Sequence, residues 1–167
     1  MTHISLQNLA CLRVSVPLGE VLLAASPKGL AGAWFTQGQR DAPDARACTN
    51  TAGHPVLEQA ASEMLEYFAG RRRRFDVAVD LSGGTEFQQA VWLALLTLDF
   101  GHTTSYGALA SQIGRPRAVR ALGVAVGANP VSVIVPCHRV IGADGSLTGY
   151  AGGLERKMAL LQLEGVL

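Results

Sequence analysis

Residues 136–140 read Pro136-Cys137-His138-Arg139-Val140 and follow the apolar run Val131-Ser132-Val133-Ile134-Val135. A cysteine carried to the end of a buried strand, with a histidine beside it, has the makings of a reactive-thiol site. Neighbouring positive charge favours thiolate over thiol, and the thiolate is the nucleophile. No other segment of the chain sets a nucleophile against a base in this way. A lone cysteine is equally at home as a small core residue, so the surrounding elements have to decide between the two readings.

Those elements are legible on both sides. Phe87–Leu98 predicts a helix, with Phe87, Val91, Leu95 and Leu98 on one face, Trp92 beside them and Thr85 or Glu86 placed to cap it. Tyr106–Ile113 predicts a short helix that Gly114 ends, and Pro116 opens another running to about Val126. Two short helices joined by a glycine-containing turn make a helix-turn-helix candidate. The second, Ala118-Val119-Arg120-Ala121-Leu122-Gly123-Val124-Ala125, is rich in small residues around a single arginine. It is either a helix that approaches a nucleic-acid groove with Arg120 as its probe, or a packed helix whose Arg120 reaches solvent. Gly127-Ala128-Asn129-Pro130 breaks the chain, and the apolar strand then delivers Cys137. Beyond it, the glycine-punctuated loop Gly142–Gly153 leads to a last helix, Leu154–Leu163, with Glu164 at its end.

The first half has a different character. Leu12–Val16, Val21–Ala25 and Leu30–Phe35 predict three strands separated by the turns Pro17-Leu18-Gly19-Glu20 and Ser26-Pro27-Lys28-Gly29, an antiparallel meander. Thr36–Gly53 reads as a loop. Pro55 opens a helix with Leu57, Ala61, Met64, Leu65 and Phe68 at helical spacing, and Gly70 stops it. Arg71–Arg74 then reads as a solvated turn with cations near a helix C-terminus rather than as a phosphate site. Phe75–Leu81 alternates like a strand, and Ser82-Gly83-Gly84-Thr85 is a linker. These features divide the chain into residues 1–86 and 87–167.

With 167 residues, 49% hydrophobic and 16% charged, the chain can bury a substantial core as one domain or two small ones. A formal charge of +1 excludes a grossly basic nucleic-acid binder but not a local patch. Residues 1–86 carry 8 basic and 9 acidic groups, and residues 87–167 carry 6 and 4. Between 113 and 140 stand Arg115, Arg117, Arg120 and Arg139 with no acid, which favours an anionic partner for the second half. Cys11, Cys48 and Cys137 are odd in number and far apart, which does not suggest a disulfide framework. The N-terminus lacks the layout of a signal peptide, and no apolar stretch approaches the ~18–20 residues that span a bilayer. A reducing cytoplasm is the compartment these features suggest.

Taken in order, Phe87-Gln88, Val91-Trp92, Ser105-Tyr106-Gly107, Arg120-Ala121-Leu122-Gly123, Asn129-Pro130, Pro136-Cys137-His138-Arg139-Val140 and Thr148-Gly149-Tyr150-Ala151-Gly152-Gly153 form a pattern. It resembles that of the O6-alkylguanine-DNA alkyltransferases, or methylated-DNA–protein-cysteine methyltransferases. The resemblance is dense from Phe87 to Gly165 and looser over 1–86. It implies an α/β (α+β) protein with a small ribonuclease-H-like N-terminal domain of antiparallel sheet plus helix. A mostly helical, winged helix-turn-helix domain would follow. It also implies a DNA-repair methyltransferase acting once per molecule on O6-alkylguanine, and on O4-alkylthymine, in double-stranded DNA. No cofactor, no membrane and no obligate protein partner are implied, and the protein would be a monomer.

Roles follow where residues match the family's pattern. Cys137 would accept the alkyl group; Glu164 would orient His138, which takes the thiol proton through a water. Asn129 would support the turn before the nucleophile. Tyr106 would meet the DNA backbone and donate to the guanine ring. Arg120 would enter the duplex and fill the gap left by the extruded nucleotide, with Val119, Ala121, Gly123, Tyr106 and Arg139 sharing the DNA contact. Pro136, Val140, Tyr150 and the Ala151 backbone would line the base pocket.

Three positions depart from the pattern. Asp99 stands for a proline before the Phe100-Gly101 turn, expected to loosen that turn without touching the chemistry; Val119 is bulkier than alanine, and Ala151 replaces serine. Some members bind zinc in the N-terminal domain, but Cys11, Cys48, His3 and His54 do not make a convincing ligand set, and no metal is expected. A DNA-binding module without activity conflicts with the presence of Cys137. A thiol hydrolase built on Cys137, His138 and Glu164 would ignore DNA and turn over.

Overall fold

The structure is a computed structural model that describes residues 5–167; Met1–Ile4, and with them His3, lie outside the described residues. The chain divides into two compact units, one built from the residues up to Asp80 with Pro130–Ile134, the other from Leu81–Asn129 with Val135–Leu167. Pro130–Ile134, which the sequence reading puts in the second half, thus falls with the first unit.

In the first unit, β1 (Ala10–Val16), β2 (Gly19–Ser26) and β3 (Gly29–Phe35) form an antiparallel meander in that order. β2 is central and buried from Val21 to Ala25. A strand covered on both faces shows no polar alternation, which is why it reads as an apolar run. One face meets a cluster of Cys11, Leu22, Ala24, Trp34 and Cys48, and α1 (Pro55–Phe68) packs on the sheet. The helix buries Leu57, Ala60, Glu63, Met64 and Tyr67 and leaves Leu65 exposed. The expected face through Ala61, Leu65 and Phe68 is therefore rotated, because a buried acid belongs to it. The Glu63 carboxylate accepts the Asp76 and Val77 N–H groups at 2.8 and 3.1 Å and thereby anchors the segment after the arginine run.

That segment departs from expectation too. Phe75–Leu81 forms no strand: a bend at Val77 interrupts it, and among the described residues its backbone meets the sheet through one isolated parallel bridge, Leu30 to Val79. The approach is close: a Cβ on Gly29 would lie 2.8 Å from the Ala78 carbonyl oxygen. In the arginine run, Arg72 is half-buried and paired to Glu66 at 2.8 Å and Asp76 at 3.1 Å, while Arg71, Arg73 and Arg74 are exposed.

Cys11 and Cys48 are joined in a disulfide, 37 residues apart in sequence. This corrects the reading of three separate thiols. The chain after Cys48 runs beside β1, with Thr51 N–H donating to the Cys11 carbonyl at 2.8 Å, so pairing along the strand edge brings the two sulfurs together. Spacing in sequence carries no trace of that edge pairing. The bond removes the cysteine-based argument for a reducing compartment, and it leaves neither sulfur as a thiolate ligand.

The second unit holds α2 (Glu86–Leu95), β4 (Thr104–Ser105), α3 (Tyr106–Gln112), α4 (Val119–Gly127), β5 (Val140–Ile141) and α5 (Leu154–Leu163). Thr85 caps α2 in a reciprocal capping box with Gln88. The Trp92 indole donates to the Ala125 carbonyl at 2.8 Å, tying α2 to α4. Gly114, at φ 73°, ends α3: its N–H donates to Ser111 and that of Arg115 to Ala110, the paired bonds of a Schellman ending. The chain is still turning at Pro116, and α4 starts only at Val119, three residues later than expected. α3 and α4 form the helix-turn-helix, and β4 pairs with β5 in parallel, Thr104 with Val140 and Ser105 with Ile141. Among the described residues no helix is long and apolar enough to cross a membrane.

Candidate active site

The expected strand at Val131–Val135 is replaced by tighter backbone. Val131 makes one bridge to Ala33, after which the Ile134 N–H donates back to the Ser132 carbonyl at 2.9 Å around Val133. At φ 72°, Val133 is the only non-glycine residue with positive φ among those described. A β-branched side chain there is strained by about 1–3 kcal/mol. A second i→i+2 turn follows: Cys137 N–H donates to the Val135 carbonyl at 2.8 Å around Pro136, φ −83°, ψ 64°, an inverse γ-turn. The apolar run reads as a strand from its β-branched residues, but its burial belongs to turns. Asn129, buried just past α4, donates from Nδ2 to the same Val135 carbonyl at 2.8 Å. One oxygen thus receives both the cysteine's amide and a side-chain clamp.

Cys137 opens a 3-10 turn through Arg139, and all three residues are buried. His138 Nε2 lies 2.6 Å from Glu164 Oε2. A carboxylate only accepts, so the ring hydrogen sits on Nε2 and Nδ1 carries the lone pair. That Nδ1 has no hydrogen-bond partner among the described residues. Burial holds the imidazole below its ordinary pKa; Arg139 and Lys157 push the same way, while Glu164 opposes them. His138 is therefore neutral at physiological pH and able to receive a proton at Nδ1.

Glu164 serves more than the histidine. Its Oε1 accepts Arg139 Nε at 2.8 Å and the Gly101 N–H at 3.1 Å, and its Oε2 accepts Arg139 Nη2 at 3.1 Å besides His138. Arg139 Nη1 donates to the Leu98 carbonyl at 2.5 Å. One expectation falls here. Arg139 is 6% exposed and turned into the protein, held by Glu164 and Leu98 and not presented as a DNA contact. The turn that carries Asp99 adjoins the site through its neighbours, because the Leu98 carbonyl and the Gly101 N–H hold Arg139 and Glu164.

Lys157 escaped sequence reasoning. It is fully buried, and Nζ donates to the carbonyls of Val140, Thr148 and Gly149 at 2.7, 2.9 and 3.4 Å. Burial lowers its pKa, while a thiolate at Cys137 acts to raise it. The signal was available: Lys157, Leu160, Leu161 and Glu164 follow one another at i, i+3, i+4 and i+7, an apolar stripe of α5 with a charge at each end. Lys157 pins the loop that carries Tyr150 and Ala151, and the Thr148 carbonyl also accepts the Tyr106 hydroxyl at 3.0 Å.

The remaining expected residues divide in two. Pro136, Val140 and Tyr150 are buried and Ala151 is half-buried around the Cys137 turn and its loop. On α4, Val119, Arg120 and Ala121 are exposed, and Arg120 makes no hydrogen bond or ion pair among the described residues. Gly123 faces Tyr106, whose ring would lie 3.9 Å from an added Cβ. A buried thiol beside a neutral, oriented base, with an exposed small-residue helix in the same unit, suits nucleophilic attack on a group presented from a larger molecule.

Residues 13–81 match the family described as 6-O-methylguanine DNA methyltransferase, ribonuclease-like domain, and residues 86–166 match that family's DNA binding domain. A methylated-DNA–protein-cysteine methyltransferase of Mycobacterium tuberculosis is 60% identical over 105 residues, 63% of this chain and 63% of its own length. The enzyme of that name from Methanosarcina acetivorans is 44% identical over 151 residues, 89% of this chain and 94% of its own. The crystal structure of Mycobacterium tuberculosis OGT in complex with DNA superposes with a TM-score of 0.85 at 46% identity, covering 93% of both chains. The chain thus spans under two thirds of the length of this mycobacterial relative and nearly all of the archaeal one.

Proposed function

Since the chain belongs to the 6-O-methylguanine DNA methyltransferase family, we propose that it repairs DNA directly. It moves a methyl or larger alkyl group from guanine O6 in duplex DNA to Cys137. The observation that carries this reading is the 2.6 Å His138–Glu164 hydrogen bond, which leaves the imidazole's lone pair on the residue next to the buried cysteine.

The Cys137 thiol proton passes to His138 Nδ1, with one water as its carrier, and Glu164 holds the imidazolium that forms. The sulfur attacks the alkyl carbon, so that the S–C bond forms as the C–O6 bond breaks and that bond's electron pair stays on the guanine. Tyr106 supplies the proton the departing base takes. Displacement at a saturated carbon passes through no tetrahedral oxyanion intermediate, so no oxyanion hole is required. The product is a thioether. It has no electrophilic carbonyl for water to attack, and each molecule reacts once.

A lesion at O6 lies inside the base stack, and extruding the nucleotide costs a few kcal/mol. Arg120, exposed on α4 with Val119, Ala121 and Gly123 around it, takes the vacated place. Pro136, Val140, Tyr150 and the Ala151 backbone receive the base, and O4-alkylthymine is the second substrate. In this reading the protein works as a monomer without a cofactor.

Mixing the protein with a duplex containing one O6-methylguanine and mapping peptides by mass spectrometry tests the proposal. The expected result is one methyl on the peptide containing Cys137, absent from Cys137→Ser. Methylation of another residue, or none, would overturn it.

A further inference from the structure

We infer that Arg139 is a positioning residue for the proton-accepting pair, and the inference rests on the alkyl-transfer reading above. Three observations converge on it. The guanidinium is buried one residue beyond the histidine it would serve. Its Nε and Nη2 grip both oxygens of Glu164, at 2.8 and 3.1 Å, a fork that fixes the plane of the carboxylate and so the direction in which Oε2 meets His138. The third arm, Nη1, is tied to the Leu98 carbonyl, which anchors the fork to the turn whose Gly101 N–H also binds Glu164.

Charge gives the fork a second role. A buried carboxylate with no counter-cation would hold His138 as imidazolium, which has no lone pair left for the thiol proton. With Arg139 the pair Glu164–Arg139 is neutral, and the imidazole beside it stays neutral too. The charged and titratable groups around His138 are Lys157 from α5, Glu164 at the C-cap of that helix, and Arg139 and Cys137 from its own turn. The turn that reaches Glu164 adds Asp99 and His102, both exposed. Lysine would keep the charge but lose the fork; methionine would lose both.

The test uses the full chain and free O6-benzylguanine, a small alkylated base presented without DNA, with rates measured from pH 5 to 9. Arg139→Met is expected to slow the reaction about tenfold or more at neutral pH, within the range for loss of a general base. Its rate should recover only at higher pH than in the wild type, since unopposed Glu164 favours imidazolium. Arg139→Met with Glu164→Gln, which removes both charges, should move the acid limb back. Arg139→Lys should slow the reaction several-fold with the limb near its wild-type position, and it carries the test if the methionine variant does not fold. Binding of undamaged duplex to the Cys137→Ser protein should be unchanged by Arg139→Lys, in strength and in salt dependence. Wild-type rates and limb position in the folded variants would overturn the inference, as would weaker DNA binding with a shallower salt slope, the sign of a phosphate contact. A wild-type protein that reacts neither with the base nor with a duplex carrying O6-methylguanine would sink the alkyl-transfer reading instead; where only the duplex reacts, the same pH profiles are read on the duplex.

Discussion

Lys157→Met probes the pocket wall by removing a donor while nearly conserving volume. In the native protein Nζ makes two short bonds, 2.7 Å to Val140 and 2.9 Å to Thr148, and a longer one of 3.4 Å to Gly149. Hydrogen bonds from a charged donor contribute about 1.5–3 kcal/mol each, so the two short ones sum to roughly 3–6 kcal/mol. Against that stands the cost of burying an ammonium, which methionine does not bear. The expected net loss is about 2–3 kcal/mol, a fall in Tm of roughly 4–12 °C for a chain of this size. Because Thr148 also accepts the Tyr106 hydroxyl, release of the loop should slow reaction with free O6-benzylguanine about tenfold while leaving affinity for undamaged duplex, which the proposed function assigns to α4, within twofold. The pH dependence has a definite sign. Folding lowers the pKa of Lys157 from 10.5, so above its folded pKa the unfolded state binds more protons and stability rises with pH until about 10.5. The variant lacks that gain, and the difference in Tm between the two proteins should widen on the alkaline side. Thermal unfolding at pH 7 and 9.5, paired with the rate measurement, checks all three. Equal Tm values and equal rates would refute the role given to Lys157.

Other consequences are simpler to state. Reducing the Cys11–Cys48 bond, which closes a separation of 37 residues, should cost about 2–4 kcal/mol and lower Tm in a calorimeter; labelling of both sulfurs in the unreduced protein would contradict the bond itself. Asn129→Ala removes the clamp on the Val135 carbonyl and should cost about 1–2 kcal/mol. Its rate constant for alkyl transfer should fall more than its DNA affinity; an unchanged rate would mean the clamp does not position Cys137. Arg120→Ala should slow repair of duplex DNA more than reaction with the free base, since only the duplex requires base extrusion. Equal slowing in the two assays would remove Arg120 from that role.

The parts of this protein that obey local rules are visible in its sequence. The three strands of the meander, Thr85 as a cap, and Gly70 and Gly114 as stops all follow from turn and capping chemistry, which acts within a few residues. What is hidden depends on partners distant in sequence. Glu63 looks like a surface acid until the Asp76 and Val77 amides arrive to be bound, and its burial rotates the face of α1. Val131–Val135 has strand composition, yet most of it lies in turns. Cys11 and Cys48 meet because the chain runs back along β1. The association of His138 with Glu164, 26 residues away, came from the family's pattern and not from spacing. Arg139 is the sharpest case. An arginine in a stretch without acids reads as a surface cation, but its counter-charge waits on α5.

Single-use transfer to Cys137 is a statement about stoichiometry, which can be counted. A fixed amount of protein is titrated with a duplex carrying one O6-methylguanine, and repaired lesions are counted at completion. The expected result is a plateau at one lesion per protein molecule, unmoved by longer incubation, with the methyl retained on Cys137. Repair that continues past one equivalent, or a plateau with Cys137 unmodified, would contradict it.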